Sequence, residues 1–224
     1  MIKKSILVIC NTLFSLFIPI FAQENEEIIP LYKTINQLTI KKSYQISVRP
    51  SYFIPMPGTS SYISNGGSKP LSISFDIVQP QKYSIGIEIS HQYFQEYKPR
   101  AVYEYDGTLI STAQMRTLAN TPILFNYTQY VTTIDQTFRP YLQMGAGITH
   151  VNYNNYWGYI EDPKKRWAPT ASPALGFKLN IDKKSNWLID SKLKYIIAPF
   201  KYDFINKLNY LAVDVSLGYR WWKD

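Results

Sequence analysis

Eight times along this chain apolar and polar residues alternate with a period of two, the pattern of a strand whose successive side chains leave opposite faces. In residues 44–54, Tyr44, Ile46, Val48, Pro50, Tyr52 and Ile54 point one way and Gln45, Ser47, Arg49 and Ser51 the other. Next come Leu71, Ile73, Phe75 and Ile77 against Ser72, Ser74 and Asp76, then Tyr83, Ile85, Ile87 and Ile89 against Ser84, Gly86, Glu88 and Ser90. A fourth segment closes with Ile123, Phe125 and Tyr127 against Asn120 and Asn126. The fifth (139–151) sets Leu142, Met144, Ala146 and Ile148 against Gln143, Gly145, Gly147 and Thr149, and the sixth (173–181) sets Leu175, Phe177 and Leu179 against Gly176, Lys178 and Asn180. The seventh has Trp187, Ile189, Leu193 and Tyr195 against Asp190, Lys192 and Lys194. The eighth has Leu211, Val213, Val215, Leu217, Tyr219 and Trp221 against Asp214, Ser216, Gly218 and Arg220.

A soluble β-sandwich alternates too, so the surroundings of these segments must decide. Connections 79–81 and 182–185 are short, whereas 56–70, 97–114, 152–168 and 198–209 are long; 129–138 occupies a short-turn position but is longer than the others. Short turns at one end and long loops at the other are the habit of a transmembrane barrel. Aromatic residues gather at strand ends (Tyr52, Tyr83, Tyr127, Tyr195, Tyr219, Trp221), where interfacial girdles belong. Glycines 86, 145, 147, 176 and 218 fall on the polar face, as a narrow lumen demands. The 19 Tyr, 11 Phe and 5 Trp coexist with a mean hydropathy below zero, which suits a greasy outside around a polar inside. The expected fold is therefore all-β: an eight-stranded antiparallel up-and-down transmembrane β-barrel whose closure leaves no edge for lipid to solvate. Val102 to Ile110, with Asp106-Gly107 at its centre, reads as a hairpin that carries the third and fourth strands beyond the membrane.

The start of the chain sets the address. Lys3 and Lys4 precede an apolar run from Ile6 to Phe21, then Ala22 and the polar stretch from Gln23 to Glu27, the three parts of a secretory signal peptide. The run is short for the ~20 residues of a membrane helix. The expected organisation is a signal peptide over 1–22, a periplasmic lead-in over 23–42 and the barrel over 43–224. Cys10, the single cysteine, falls in the removed segment, so the mature protein is expected to hold no disulfide, thiolate metal site or cysteine nucleophile. Without Lys3 and Lys4, 22 basic residues face 16 acidic ones, a net charge of +6 that suits nucleic acid, anionic lipid or lipopolysaccharide phosphates; export makes nucleic acid the weakest of the three, and none is expected as a partner.

Leu118-Ala119-Asn120-Thr121-Pro122-Ile123-Leu124, followed by Arg139-Pro140-Tyr141-Leu142-Gln143-Met144-Gly145-Ala146-Gly147, resembles paired strands of the Bacteroidetes-type outer-membrane β-barrel family, the porin-like group that includes PorT. More broadly the chain is similar to OmpA/OmpX-like eight-stranded barrels. Residues 213–222 look like the aromatic-ended signal by which the barrel-assembly machinery recognises its clients, with Lys223-Asp224 following the last aromatic. The resemblance implies an outer-membrane location, barrel-assembly machinery as a partner during biogenesis and, through PorT, an accessory role in secretion.

Inside such a barrel, Arg49, Lys178, Lys192, Lys194 and Arg220 are expected to face Asp76, Glu88, Asp190 and Asp214, with Lys178 opposite Asp190 and Lys192 opposite Asp214. Eight strands leave just enough room for side chains, so these charges should fill the lumen rather than line a pore. His91 and His150, the two histidines, fall on the outward face; Ser90 and Thr149 beside them point inward, which denies each pair a shared proton. No catalytic, cofactor or metal site is expected. In the third loop, Tyr153, Tyr156, Trp157, Tyr159, Lys164, Lys165, Arg166 and Trp167 form an aromatic and basic surface suited to the lipopolysaccharide headgroup layer or to a protein or glycan partner. The expected function is that of a non-enzymatic structural, adhesive or assembly and secretion-accessory barrel acting through its loops. A lipid A-modifying enzyme and a narrow channel for small apolar molecules are the rivals.

Overall fold

A computed structural model describes residues 42–67, 70–80, 82–105, 107–134, 136–181, 186–200 and 207–222. The signal segment and, apart from Lys42, the lead-in lie outside the described residues. Eight antiparallel strands follow in chain order: β1 (Ser43–Pro55), β2 (Leu71–Val78), β3 (Tyr83–Tyr105), β4 (Thr108–Tyr130), β5 (Phe138–Trp157), β6 (Ile160–Asn180), β7 (Trp187–Ala198) and β8 (Leu208–Trp222). Each pairs with the next, and β1 pairs with β8 from Ser43↔Trp222 to Pro55↔Tyr210, which closes the ring. The barrel is an up-and-down one, as the alternation predicts.

It is built inside out. Ile46, Val48, Ile73, Phe75, Ile87, Ile89, Phe125, Met144, Leu175, Val215 and Leu217 are exposed on the outer wall, while Gln45, Ser47, Arg49, Asp76, Glu88, Asp190 and Asp214 are buried within. An outside of this kind is stable against hydrocarbon, where every backbone group must be bonded within the sheet, and a closed ring achieves that. At the turn end the apolar band is bounded by rings: Tyr44 stacks between Phe75 and Trp221, Trp187 meets Tyr219 edge-on, Tyr83 stacks on Tyr127, and Phe138 packs on Phe177. At the loop end it is bounded by one row across four strands, His91, Thr121, His150 and Trp167, in which His91 Nδ1 is 2.9 Å from Thr121 Oγ1 and the His150 ring packs on Trp167.

The wall is uneven. β1, β2, β7 and β8 stop near that row, but β3 to β6 continue past it as a four-stranded sheet. From His91 to Tyr105, β3 has a contour of about 45 Å at 3.3 Å per residue. The β3–β4 turn at Gly107 (φ +73°) is the expected one. The span 152–168, expected as a loop, is instead a strand hairpin: β5 runs to Trp157, Gly158 (φ +63°) opens a two-residue turn, and β6 starts at Ile160. Above the bilayer the outer face meets water, so the ladder persists without the apolar contrast by which a strand is recognised.

Both lateral edges of the raised sheet are blunted. The β6–β7 ladder is interrupted between Ala171 and Ala174, at Pro173. Pro163 and Pro169 share the parity of Pro173 and so lack an N–H on the same side of β6, beside the cations Lys164 and Lys165. On β3 the register slips between Lys98 and Ala101, around Pro99. Proline, lysine and a bulge are the devices that keep a free edge from recruiting another strand.

Candidate functional site

The lumen is filled in three layers. At mid-height Glu88 accepts hydrogen bonds from Lys192 (2.6 Å) and Lys194 (2.5 Å) and lies 3.5 Å from Arg49. Arg49 also reaches Asp190 at 3.2 Å, and Lys194 reaches Asp214 at 3.3 Å. The Tyr141 hydroxyl donates to Asp190 at 2.6 Å. Burying so many charges is tolerable only because each carboxylate meets a cation or a hydroxyl. The strand register puts Lys178 beside Asp190 and Lys192 beside Asp214. Lys178, however, donates to the Tyr130 hydroxyl (2.8 Å) and Gln45 Oε1 (3.1 Å). All nine charged residues read from the alternation are buried inside the barrel. A tenth, Arg139, joins them with its guanidinium 4.0 Å from the Tyr130 ring centre. Parity from Gln143 back through Tyr141 points it inward, a signal obscured by its place at the strand start.

Small residues make room for this layer. A Cβ on Gly147 would stand 2.0 Å from the Ile123 carbonyl oxygen, and one on Gly86 2.1 Å from Asp76 Oδ1.

The loop-end layer is apolar. Phe53, Phe94, Leu118, Val151, Tyr153, Ile196, Phe200 and Tyr210 pack together, and the first loop folds down into them with Tyr62 and Ile63 fully buried. Nothing in the alternation marks Tyr62 or Ile63, because a loop has no parity to read. Several contacts hold the loop down. The Ser64 N–H and hydroxyl donate to Glu96 Oε2 at 2.5 and 3.0 Å, Arg116 donates to the Tyr62 carbonyl at 3.1 Å, and the Asn209 N–H donates to Thr59 Oγ1 at 2.7 Å. Gly67 bridges Phe53 and so completes the wall where β2 has ended. Burial opposes the charge on Glu96, but the Lys98 ammonium and the Ser64 donors outweigh it and hold the carboxyl below its ordinary value. A third layer, Val78, Tyr130, Ile134 and Tyr141, lies at the turn end.

The aromatic and basic surface expected of the third loop divides. Tyr153 and Trp157 are buried on the inner face of β5, so they are corrected from surface to packing residues; parity continued from Thr149 places them there. Tyr156 is half-buried, and Tyr159 stands fully exposed at the hairpin tip. Lys164, Lys165, Arg166 and Trp167 are exposed along β6, the cations just above the Trp167 row. His91 and Ser90 lie on opposite faces, His91 against Thr121 outside and Ser90 accepting from Gln92 inside.

No protein-family profile matches the chain, and no curated protein matches it. Among solved structures the chain is similar to Ail, the attachment invasion locus protein of Yersinia pestis, at 11% identity and a TM-score of 0.48, over 81% of this chain and 98% of that one. It is similar to the N-terminal β-barrel domain of Pseudomonas aeruginosa OprF at 11% identity and a TM-score of 0.46, over 80% and 97%. It is also similar to the E. coli outer membrane protein W at 17% identity and a TM-score of 0.44, over 82% and 100%. These identities and scores are low, and the eight-stranded closed ring is read from the strand pairing itself.

Proposed function

We propose that this is a non-enzymatic integral outer-membrane protein in which the barrel is the anchor and the raised sheet is the working part, in an adhesive or assembly and secretion-accessory role. The observation that carries the reading is the contrast between a lumen filled from end to end by side chains and a four-stranded sheet standing far above the apolar band. Material investment of this kind serves contact rather than passage. With the loop end outward, the His91 to Trp167 row lies at the outer headgroups, and Lys164, Lys165 and Arg166 stand at the height of lipopolysaccharide phosphates. The blunted edges direct recognition to side chains on the sheet faces instead of strand addition.

The first test is a gel of outer membranes, boiled and unboiled. A shift in apparent size supports a detergent-resistant folded barrel, whereas recovery in the soluble periplasm removes the membrane role. The second is single-channel recording in planar bilayers, where a sealed lumen gives no stable conductance step and a regular open level would assign a pore instead. Cells displaying the protein are then compared with cells displaying a variant in which β3–β4 and β5–β6 are shortened to the height of the His91 row. Loss of binding to a host or sister-cell surface, with the gel shift retained, supports the sheet as the working part.

A further inference from the structure

Among the described residues the lumen's cations are unevenly matched: Lys178 still acts on Asp190 and Arg139 is engaged, whereas two nitrogens of Arg220 have no partner. Glu88, Asp190 and Asp214 are engaged with Arg49, Lys192, Lys194 and Tyr141 at mid-height, and Asp76 lies against the Ser74 hydroxyl at 3.4 Å. Toward the turn end stand three more cations: Arg220, two residues from the end of β8; Arg139, the second residue of β5; and Lys178, next to Arg139 in the β5–β6 register. Arg220 is 3% exposed, and its Nε and Nη2 have no hydrogen-bond partner among the described residues. Among the described residues its electrostatic neighbours are Arg139, a second cation, and Tyr130. Gln45, beside Arg220 in the β1–β8 register, has its Oε1 occupied by Lys178. A buried guanidinium with idle donors and a cationic neighbour is costly unless an anion completes it.

We propose that the turn end of the lumen is a binding site for a tetrahedral oxyanion of the phosphate class, held by Arg220 with Arg139 and Lys178 around it. The planar fork of a guanidinium presents parallel N–H donors that match two oxygens of one phosphate, a geometry that chloride cannot use. Lys178 adds a point charge and Tyr130 a hydroxyl on the same side. Arg220 stands two residues from the end of β8, so the turn end is the nearer side of approach, for the free ion or for the head of a phosphomonoester.

Detergent-folded protein is heated in phosphate and in chloride at equal ionic strength, and 31P line broadening is recorded on the same samples. The expected result is a saturable rise in the unfolding midpoint with phosphate but not chloride, and broadening that sulfate reverses. In Arg220→Gln the apparent affinity should fall about tenfold or more, the effect of losing one charge-assisted donor. Without phosphate this variant should be at least as stable as the parent, because an uncompensated charge has been removed. If it does not fold, Lys178→Gln and the line broadening of the unaltered protein carry the same test. Protection by inorganic phosphate alone assigns the free ion, and protection by glycerol 3-phosphate as well assigns a phosphomonoester. Equal response to chloride, or an unchanged response in Arg220→Gln, overturns the site.

Discussion

The ring of Tyr62, on the first loop, stacks on that of Tyr153, on the inner face of β5, with 4.3 Å between centroids, and the Tyr62 hydroxyl donates to the Asn154 carbonyl at 3.0 Å. A loop that would otherwise wave above the barrel is thereby turned into its upper stopper. Tyr62→Ala should lower stability by about 3 kcal/mol, as buried aromatic-to-alanine changes do. It should also expose the first loop to protease. Bilayer conductance should stay at baseline, because the charge layer below remains; a new open level would mean that the loop alone seals the lumen.

Acid should loosen the same loop. The Glu96 carboxyl is held below its ordinary value in the folded protein, so its contribution is fully present above the unfolded value near 4.5 and is lost as pH falls through the folded one. Protease sensitivity of the first loop is thus expected to rise only below about pH 4. Glu96→Gln should abolish this acid step and cost about 1–2 kcal/mol at neutral pH through its charge-assisted hydrogen bonds. An identical acid profile in the variant would assign the loosening to another group.

Glu88 and Asp76 are both buried lumen carboxylates, yet their removal should differ greatly. Glu88→Gln leaves Lys192, Lys194 and Arg49 short of a counter-charge and should cost about 3–5 kcal/mol. Asp76→Asn loses a long contact to Ser74 and the weakest of three carboxylate charges acting on Arg49, and should cost about 1–2 kcal/mol. Urea midpoints of the detergent-folded proteins measure both, and equal losses would show that the mid-height network does not centre on Glu88.

Gly147→Ala is expected to block folding outright. Its Cβ would meet the backbone oxygen of Ile123, which cannot swing aside as a side-chain end can. The variant should run as the unfolded species in the unboiled lane at every lipid-to-protein ratio.

Much of the barrel is legible in the alternation because lipid outside and charge inside make each membrane-level strand a two-state pattern. The legibility stops where the lipid stops. Asn152 and Asn154 are half-buried on one side of β5 while Tyr153 and Asn155 are buried on the other, so polarity no longer separates the faces. In β6 three consecutive cations, Lys164, Lys165 and Arg166, erase the period altogether, although the backbone pairing with Tyr153, Asn152 and Val151 is regular. Asp106-Gly107 betrays the first hairpin through turn chemistry, whereas Gly158-Tyr159 lies among aromatics that read as a binding loop. The inward charges are readable from parity, but the partners they choose depend on reach across the lumen, as with Arg49 and Asp190.

Seven of the eight ladders join neighbours in the chain and can form as local hairpins, but the β1–β8 ladder brings Ser43 to Trp222. In kinetic terms the ring carries one contact of very long sequence separation, and loop-closure entropy makes such a contact the late one. Until it forms, the nascent sheet has two open edges and a lumen of charges facing whatever medium surrounds it. Folding therefore has a single committing event, and the aromatic-ended last strand is what must arrive for it to happen.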